Sequence, residues 1–132
     1  MIYLLDANVL IALTVAEHEH HSRVSGWLAT VDRVALCPVV EGSLVRFLVR
    51  VGESVNAAQE VLHSLHADPR CEFWPDELSY ARADLSHVRG HRQVTDAYLA
   101  ALAATRKGTL LATLDQGLAH DRPGHTLLVP VV

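Results

Sequence analysis

The fold is decided by the first thirteen residues, Met1-Ile2-Tyr3-Leu4-Leu5-Asp6-Ala7-Asn8-Val9-Leu10-Ile11-Ala12-Leu13. Ile2 to Leu5 is apolar at every position, so it reads as a strand buried on both faces, not as an alternating strand with one wet side. The run stops at an acid, Asn8 makes a polar corner, and Val9 to Leu13 resumes as a helix. No Lys or Arg precedes Arg23, and Asp6 and Asn8 interrupt the apolar run. The segment therefore reads as strand, corner and helix rather than as a secretory leader.

Working outward, the same grammar repeats. His20 to Thr30 reads as a polar-rich helix and Val34 to Leu36 as a short strand. Pro38 stands where a first helical residue tolerates proline. Val40, Leu44, Phe47, Leu48 and Val51 then form one buried helical stripe that Gly52 ends. Val55 to His66 is a further amphipathic helix, closed by Asp68-Pro69, and Cys71 to Trp74 a strand. Glu77 to Val88 reads as a helix. Thr95 is the expected cap of another, Asp96 to Arg106, that stops at Gly108. Thr109 to Thr113 and Thr126 to Val129 complete the strands. The expected order is β-α-α-β-α-α-β-α-α-β-β. Short, continuously apolar strands separated by helices imply an α/β fold with a parallel sheet covered on both faces.

Composition agrees. The chain has 132 residues, 50% of them hydrophobic and only 5% aromatic, which is one domain's worth of aliphatic core. The formal charge is −4, so the molecule as a whole does not attract polyanions, and any nucleic-acid binding must be local. Lys107 is the single lysine. Cys37 and Cys71 lack metal-ligand spacing and the density of a disulfide scaffold, so both are expected as reduced thiols in a cytoplasmic protein. Nothing approaches the length of a membrane-spanning helix.

Chemistry enters at the junctions. Asp6 follows the first strand, Asp115 follows Thr109 to Thr113, and Glu41 and Asp96 lie in the first turns of helices. Parallel sheets bind ligands beyond the carboxyl ends of their strands, and all four acids map to that rim. Carboxylates gathered in a partly dry pocket repel one another unless some are protonated or a cation joins them. Hard oxygen donors without suitably spaced His or Cys point to Mg²⁺ or Mn²⁺, and such an ion both attracts a phosphodiester and activates water for its hydrolysis. Each acid also has a plainer reading. Glu41 and Asp96 stabilise helix N-termini, and Asp6 and Asp115 form turns with Asn8 and Gly117.

The stretches Leu4-Leu5-Asp6-Ala7-Asn8-Val9-Leu10, Val40-Glu41, Thr95-Asp96-Ala97-Tyr98-Leu99-Ala100-Ala101-Leu102-Ala103 and Thr113-Leu114-Asp115 resemble the successive motifs of PIN-domain nucleases, and within them the VapC ribonuclease toxins of VapBC toxin–antitoxin modules. The resemblance implies one PIN domain over residues 1–132, folded as a three-layer α/β/α sandwich around a mostly parallel sheet. It implies a Mg²⁺- or Mn²⁺-dependent endoribonuclease in which Asp6, Glu41, Asp96 and Asp115 hold metal and carry catalysis. Asn8, Thr113 and Thr95 are expected to support those acids. The implied partners are RNA, a VapB-type antitoxin and a second copy of the chain. Where many relatives place another acid two residues after the last, this chain has Gly117.

Among the remaining residues, Arg89 and Arg92, with His87 and His91 beside them, stand on the loop expected to overhang the crevice, where arginines hold RNA phosphates. His18, His20 and His21 read as a solvated helix start rather than a zinc site. A noncatalytic regulatory or interaction domain of similar α/β fold, keeping an acidic pocket without turnover, is the alternative class.

Overall fold

The computed structural model describes residues 1–131; Val132, the last residue of the expected domain, lies outside them. The elements run β1 (Ile2–Leu5), α1 (Ala7–Thr14), α2 (His21–Leu28), β2 (Val34–Leu36), α3 (Pro38–Arg50), α4 (Val55–Ala67), β3 (Cys71–Phe73), α5 (Val94–Ala104), β4 (Thr109–Thr113), α6 (Gln116–Asp121) and β5 (Thr126–Leu128). The five strands form one sheet in the order β3-β2-β1-β4-β5, parallel at every pairing. The apolar strands are buried accordingly: Leu4, Leu5, Ala35, Leu36, Leu111 and Ala112 are fully enclosed or within 1% of it.

Chain direction across the sheet sets the layers. The connections β1-to-β2 and β2-to-β3 step one way, and β3-to-β4 returns across the sheet. Right-handed crossovers then put α1 through α4 on one face and α5 and α6 on the other. The reversal falls between β1 and β4, neighbours in the sheet that come from opposite ends of the chain. Ligands of parallel sheets bind at such a switch point. Helix α5 is buried continuously from Ala97 to Ala103, and its small alanines allow close approach to the sheet.

Three expectations need correcting. Glu77 to Val88 is not helical but a series of turns. The Ser79 hydroxyl accepts from Ala81 N–H at 3.1 Å, and Asp84 Oδ1 accepts from both Ser86 N–H (3.1 Å) and Ser86 Oγ (2.6 Å). These short polar side chains compete with the helix ladder for backbone groups and win here. Residues 116–121, read as a connection, form α6, nucleated by the Asp115 carboxylate accepting from Leu118 N–H at 3.1 Å. Thr95 does not cap its helix. A 3₁₀ turn over His91–Gln93 leads directly into α5, so the helix begins before Thr95 and that side chain is exposed.

Candidate active site

The register of β1 on β4 pairs Leu5 with Ala112, so Asp6 and Thr113 stand opposite each other one step further on. The Asp6 backbone N–H donates to Ala112 at 2.9 Å, and the Thr113 hydroxyl donates to Asp6 Oδ2 at 2.7 Å. Asp6 Oδ1 accepts from Ala7 N–H at 2.7 Å and caps α1. The carboxyl is 2% exposed, and that burial, together with the field of Asp115, pushes its pKa up against these two bonds. A buried carboxylate held by two donors is fixed in place.

Asp115 leaves β4 two residues beyond Asp6's partner. Thr113 Oγ1 accepts from Asp115 N–H at 3.0 Å, so one hydroxyl ties the two acids together. Asn8 Oδ1 accepts from Leu114 N–H at 3.3 Å and binds the exit of β4 to the first turn of α1. Asp96 approaches from the first turn of α5. Burial, then Asp6, then Asp115, push its carboxyl up to about 7. Asp96, Asp115, Gln93, Gly117, His87 and Asp121 enclose a cavity of about 90 Å³, room for about three waters. A larger hollow of about 540 Å³ between the ends of α1 and α3 and the start of α4 is lined mostly by aliphatic chains such as Val15, Val51 and Val61. Nothing there assembles chemistry.

The architecture and the acids at the switch point are those of one known group, and the family model of the PIN domain matches residues 3–122. The chain belongs to the PIN-domain family. It is 55% identical over 131 residues to Ribonuclease VapC29 of Mycobacterium tuberculosis, covering 98% of each chain, and 36% identical to Ribonuclease VapC38 of the same organism, covering 91% and 92%. Among solved structures, VapC20 of M. tuberculosis, a toxin cleaving the sarcin–ricin loop, superposes with a TM-score of 0.70 over 98% of this chain and 100% of its own at 16% identity. VapBC2 of Rickettsia felis, bound to a DNA fragment of its promoter, gives 0.67 over 96% and 97% at 18% identity. At those identities the likeness is one of fold.

In this PIN domain the structure brings three of the four expected acids into one another's field and leaves the fourth aside. Glu41 lies in the first turn of α3, one residue after Val40 on the buried stripe. Its side chain turns instead to the neighbouring helix, where His66 Nε2 on α4 meets Glu41 Oε2 at 2.8 Å. Phe73 packs edge-on against that imidazole. The structure thus gives Glu41 a bond to His66, and its expected part beside the three aspartates is left to the substitutions proposed below. Arg89 and Arg92 are exposed on the loop before α5, and Arg89 N–H donates to Gln93 Oε1 at 2.6 Å, beside the cavity. Sequence reasoning passed over Gln93, Asp121 and the buried Arg122, which line or back the cavity. A signal for the latter two was present: Asp115 followed by Leu118 and Ala119 is a capped helical turn, which carries residues 121 and 122 back to the site.

The donors fit a hard divalent cation in type and charge, three carboxylates whose mutual repulsion a cation relieves. As the side chains stand, no three His, Cys, Asp or Glu residues among the described ones form a closed ligand set. Such an ion would therefore complete its shell with water, as Mg²⁺ commonly does. Among the described residues no helix is long and apolar enough to cross a membrane.

Proposed function

We propose that this PIN-domain chain is an endoribonuclease, the toxin of a toxin–antitoxin pair, working with Mg²⁺ or Mn²⁺ held by Asp6, Asp96 and Asp115. The observation that carries the reading is the meeting of those three aspartates at the β1/β4 switch point, in a chain that matches a ribonuclease almost end to end. When bound, the ion supplies charge neutralisation at the scissile phosphate and an acidified water as nucleophile. The protein's own groups do the rest. Thr113 and Ala7 N–H hold Asp6 with both oxygens placed. Leu118 N–H occupies one oxygen of Asp115 and thereby fixes the carboxylate plane. Asp96, whose carboxyl is pushed up to about 7, is an acid whose charge depends on a cation's presence. Arg89 and Arg92 sit where an RNA backbone entering the cavity would pass, and supply the local positive charge that the net −4 denies the molecule as a whole.

The partners follow from kinship. We infer a VapB-type antitoxin that blocks the acidic groove, a homodimeric toxin, and a cytoplasmic setting in which Cys37 and Cys71 stay reduced, as both are here. Purified protein is expected to cleave single-stranded RNA with Mn²⁺ or Mg²⁺ and to stop on EDTA. Cleavage that ignores EDTA overturns the metal assignment, and no cleavage with any divalent ion overturns the enzyme in favour of a noncatalytic domain.

A further inference from the structure

Gln93 ends the 3₁₀ turn that leads into α5, and it is common to the walls of two hollows. It lines the cavity of Asp96 and Asp115, and it lines the hollow of the arginine loop together with Arg89 and Arg92. Two bonds hold it there. Its backbone N–H donates to the Gly90 oxygen at 3.0 Å, and its side-chain Oε1 accepts from Arg89 N–H at 2.6 Å. A backbone N–H needs an acceptor opposite it, so the amide has one orientation, with Oε1 on the loop and Nε2 left over. Nε2 has two protons to donate and gives neither to a protein atom among the described residues, nor does the side chain cap α5. Among the described residues the enclosed polar atoms without a partner are His87 Nε2, Arg106 Nε and Thr109 Oγ1, so the nitrogen of the half-buried Gln93 is not shut in. It is a fixed donor, open to a ligand, between the acids and the arginines.

We infer that Gln93 is a substrate-binding residue, donating from Nε2 to a non-bridging phosphate oxygen of RNA where the strand passes from the arginine loop to the acids. This rests on the ribonuclease reading and adds a residue to it. The arrangement answers a problem of the site itself. Arg89 and Arg92 are exposed, and long side chains that close on a phosphate lose rotamer freedom in doing so. The Gln93 amide has already been ordered by its bond to Arg89, so its donor is placed before the ligand arrives and binding costs less. Its neutrality matters as well. A guanidinium in that position would pair with Asp96 or Asp115 and compete with a cation for them, whereas an amide supplies the hydrogen bond without that charge. Helical phase supplies the rest: Gln93 and Asp96 are three residues apart, so they lie on one face, and the start of α5 presents a phosphate-directed donor beside a metal-directed acid.

The test separates the free nitrogen from the bound oxygen. In Mn²⁺-dependent cleavage of a short single-stranded RNA, Gln93→Met, which keeps the length and loses both polar atoms, is expected to raise KM about tenfold with kcat within about twofold, the mark of a contact made equally in ground and transition states. Gln93→Glu keeps an oxygen for Arg89 N–H and loses the donor, so its KM should rise at least as far. A methionine variant with an unmoved KM, or a glutamate variant restored to wild type, makes the residue at most a brace of its loop and overturns the proposal. The contact itself is read by replacing one non-bridging oxygen at a time with a methyl group along the RNA. At one linkage the loss in kcat/KM should be about tenfold greater with wild type than with Gln93→Met. If no linkage shows that difference, the amide does not bind phosphate, and the proposal falls. Independently of turnover, the side-chain ¹⁵N–¹H₂ pair of Gln93 should shift when the RNA is added to Asp6→Asn protein with Mg²⁺, where slow cleavage leaves the strand intact. A pair that stays unmoved overturns the proposal as well. Absence of RNA cleavage by the wild type with any divalent ion sinks the ribonuclease reading alone, and the same spectra of the wild type then decide on Gln93.

Discussion

Two acids of this chain begin in the same circumstances and end differently. Asp96 and Glu41 each lie in the first turn of a long helix, one entered from a loop and the other from a strand. On the β1/β4 side, Asp96 meets two more carboxylates and no cation, and its pKa is driven up to about 7. On the β2/β3 side, Glu41 meets His66 at 2.8 Å. What separates them is compensation: α4 carries an imidazole to Glu41 at bonding distance, whereas among the described residues no basic side chain bonds to Asp96. Helix-start acids are common because they stabilise the helix. The one left uncompensated is the one we propose as a metal ligand.

The sharpest break in that comparison is catalytic. Asp96→Asn is expected to lower Mn²⁺-dependent RNA cleavage by about 10²–10⁴, since several kcal/mol of transition-state stabilisation would pass through the ion it is proposed to hold. Asp6→Asn should match it. Glu41→Gln should stay within about tenfold of wild type in the same assay. A Glu41 variant as dead as Asp96→Asn would restore the fourth ligand and show that the His66 pair opens when metal binds.

Next in size is the anchoring of Asp6. Thr113→Val removes the hydroxyl that donates to Asp6 Oδ2 and accepts from Asp115 N–H, leaving a buried carboxylate with one donor. Urea unfolding of the metal-free protein at pH 7 should show a loss of about 1–3 kcal/mol. Thr113→Ser, which keeps the hydroxyl, should recover most of it. A valine variant as stable as wild type would mean that the two bonds of this hydroxyl do not anchor Asp6 and Asp115.

A smaller effect carries the opposite sign. Asp96 titrates at about 7 in the fold against 3.8 for the free group, so the fold favours its protonated form. Stability tied to this group is whole below the lower value and is lost as pH rises through the upper one. Asp96→Asn removes that loss. In EDTA the variant should melt about 4 °C above wild type at pH 8, corresponding to about 1 kcal/mol once solvent screening is allowed for. The two should melt together at pH 4. Equal melting at pH 8 would mean that the aspartates do not press on one another without metal.

The split between the two sides also marks what could be read in advance. Asp6 and Asp115 were legible because each ends an apolar strand, and a parallel sheet sends the ends of β1 and β4 to one place whatever the loops do. Asp96 was legible as a first-turn acid of a strongly apolar helix, although the Thr95 cap on which that placement leaned is not made. The bond that Glu41 makes to His66 was not legible, because the partner lies 25 residues away on another helix and no local pattern encodes that pairing. The segment 77–88 has apolar residues at tolerable helical spacing, yet Ser79 and Asp84 capture backbone N–H groups and cancel the ladder, a competition that periodicity does not weigh. The burial of Arg122 was invisible for a related reason: it follows from α6, and α6 exists because Asp115, noticed as an acid, also caps a helix. Asp6 and Asp115 each use one carboxylate oxygen to cap the helix that follows, where a turn with Asn8 and Gly117 was the plain expectation.

The least expected effect tests the quiet side of the molecule. Glu41 keeps 17% of its side chain exposed and His66 34%, so their bond is partly screened and worth about 0.5–1 kcal/mol. The imidazole also packs edge-on against Phe73, a contact that does not depend on charge. His66→Gln, retaining a donor without the ring, should therefore cost less than about 1 kcal/mol in urea unfolding and leave RNA cleavage within about twofold. The informative outcome is the exception. Should His66→Gln cleave markedly faster than wild type at limiting Mn²⁺ and no faster at saturation, the freed carboxylate is reaching the metal, and the compensation that keeps Glu41 apart is a brake on ion binding rather than a simple helix-to-helix tie.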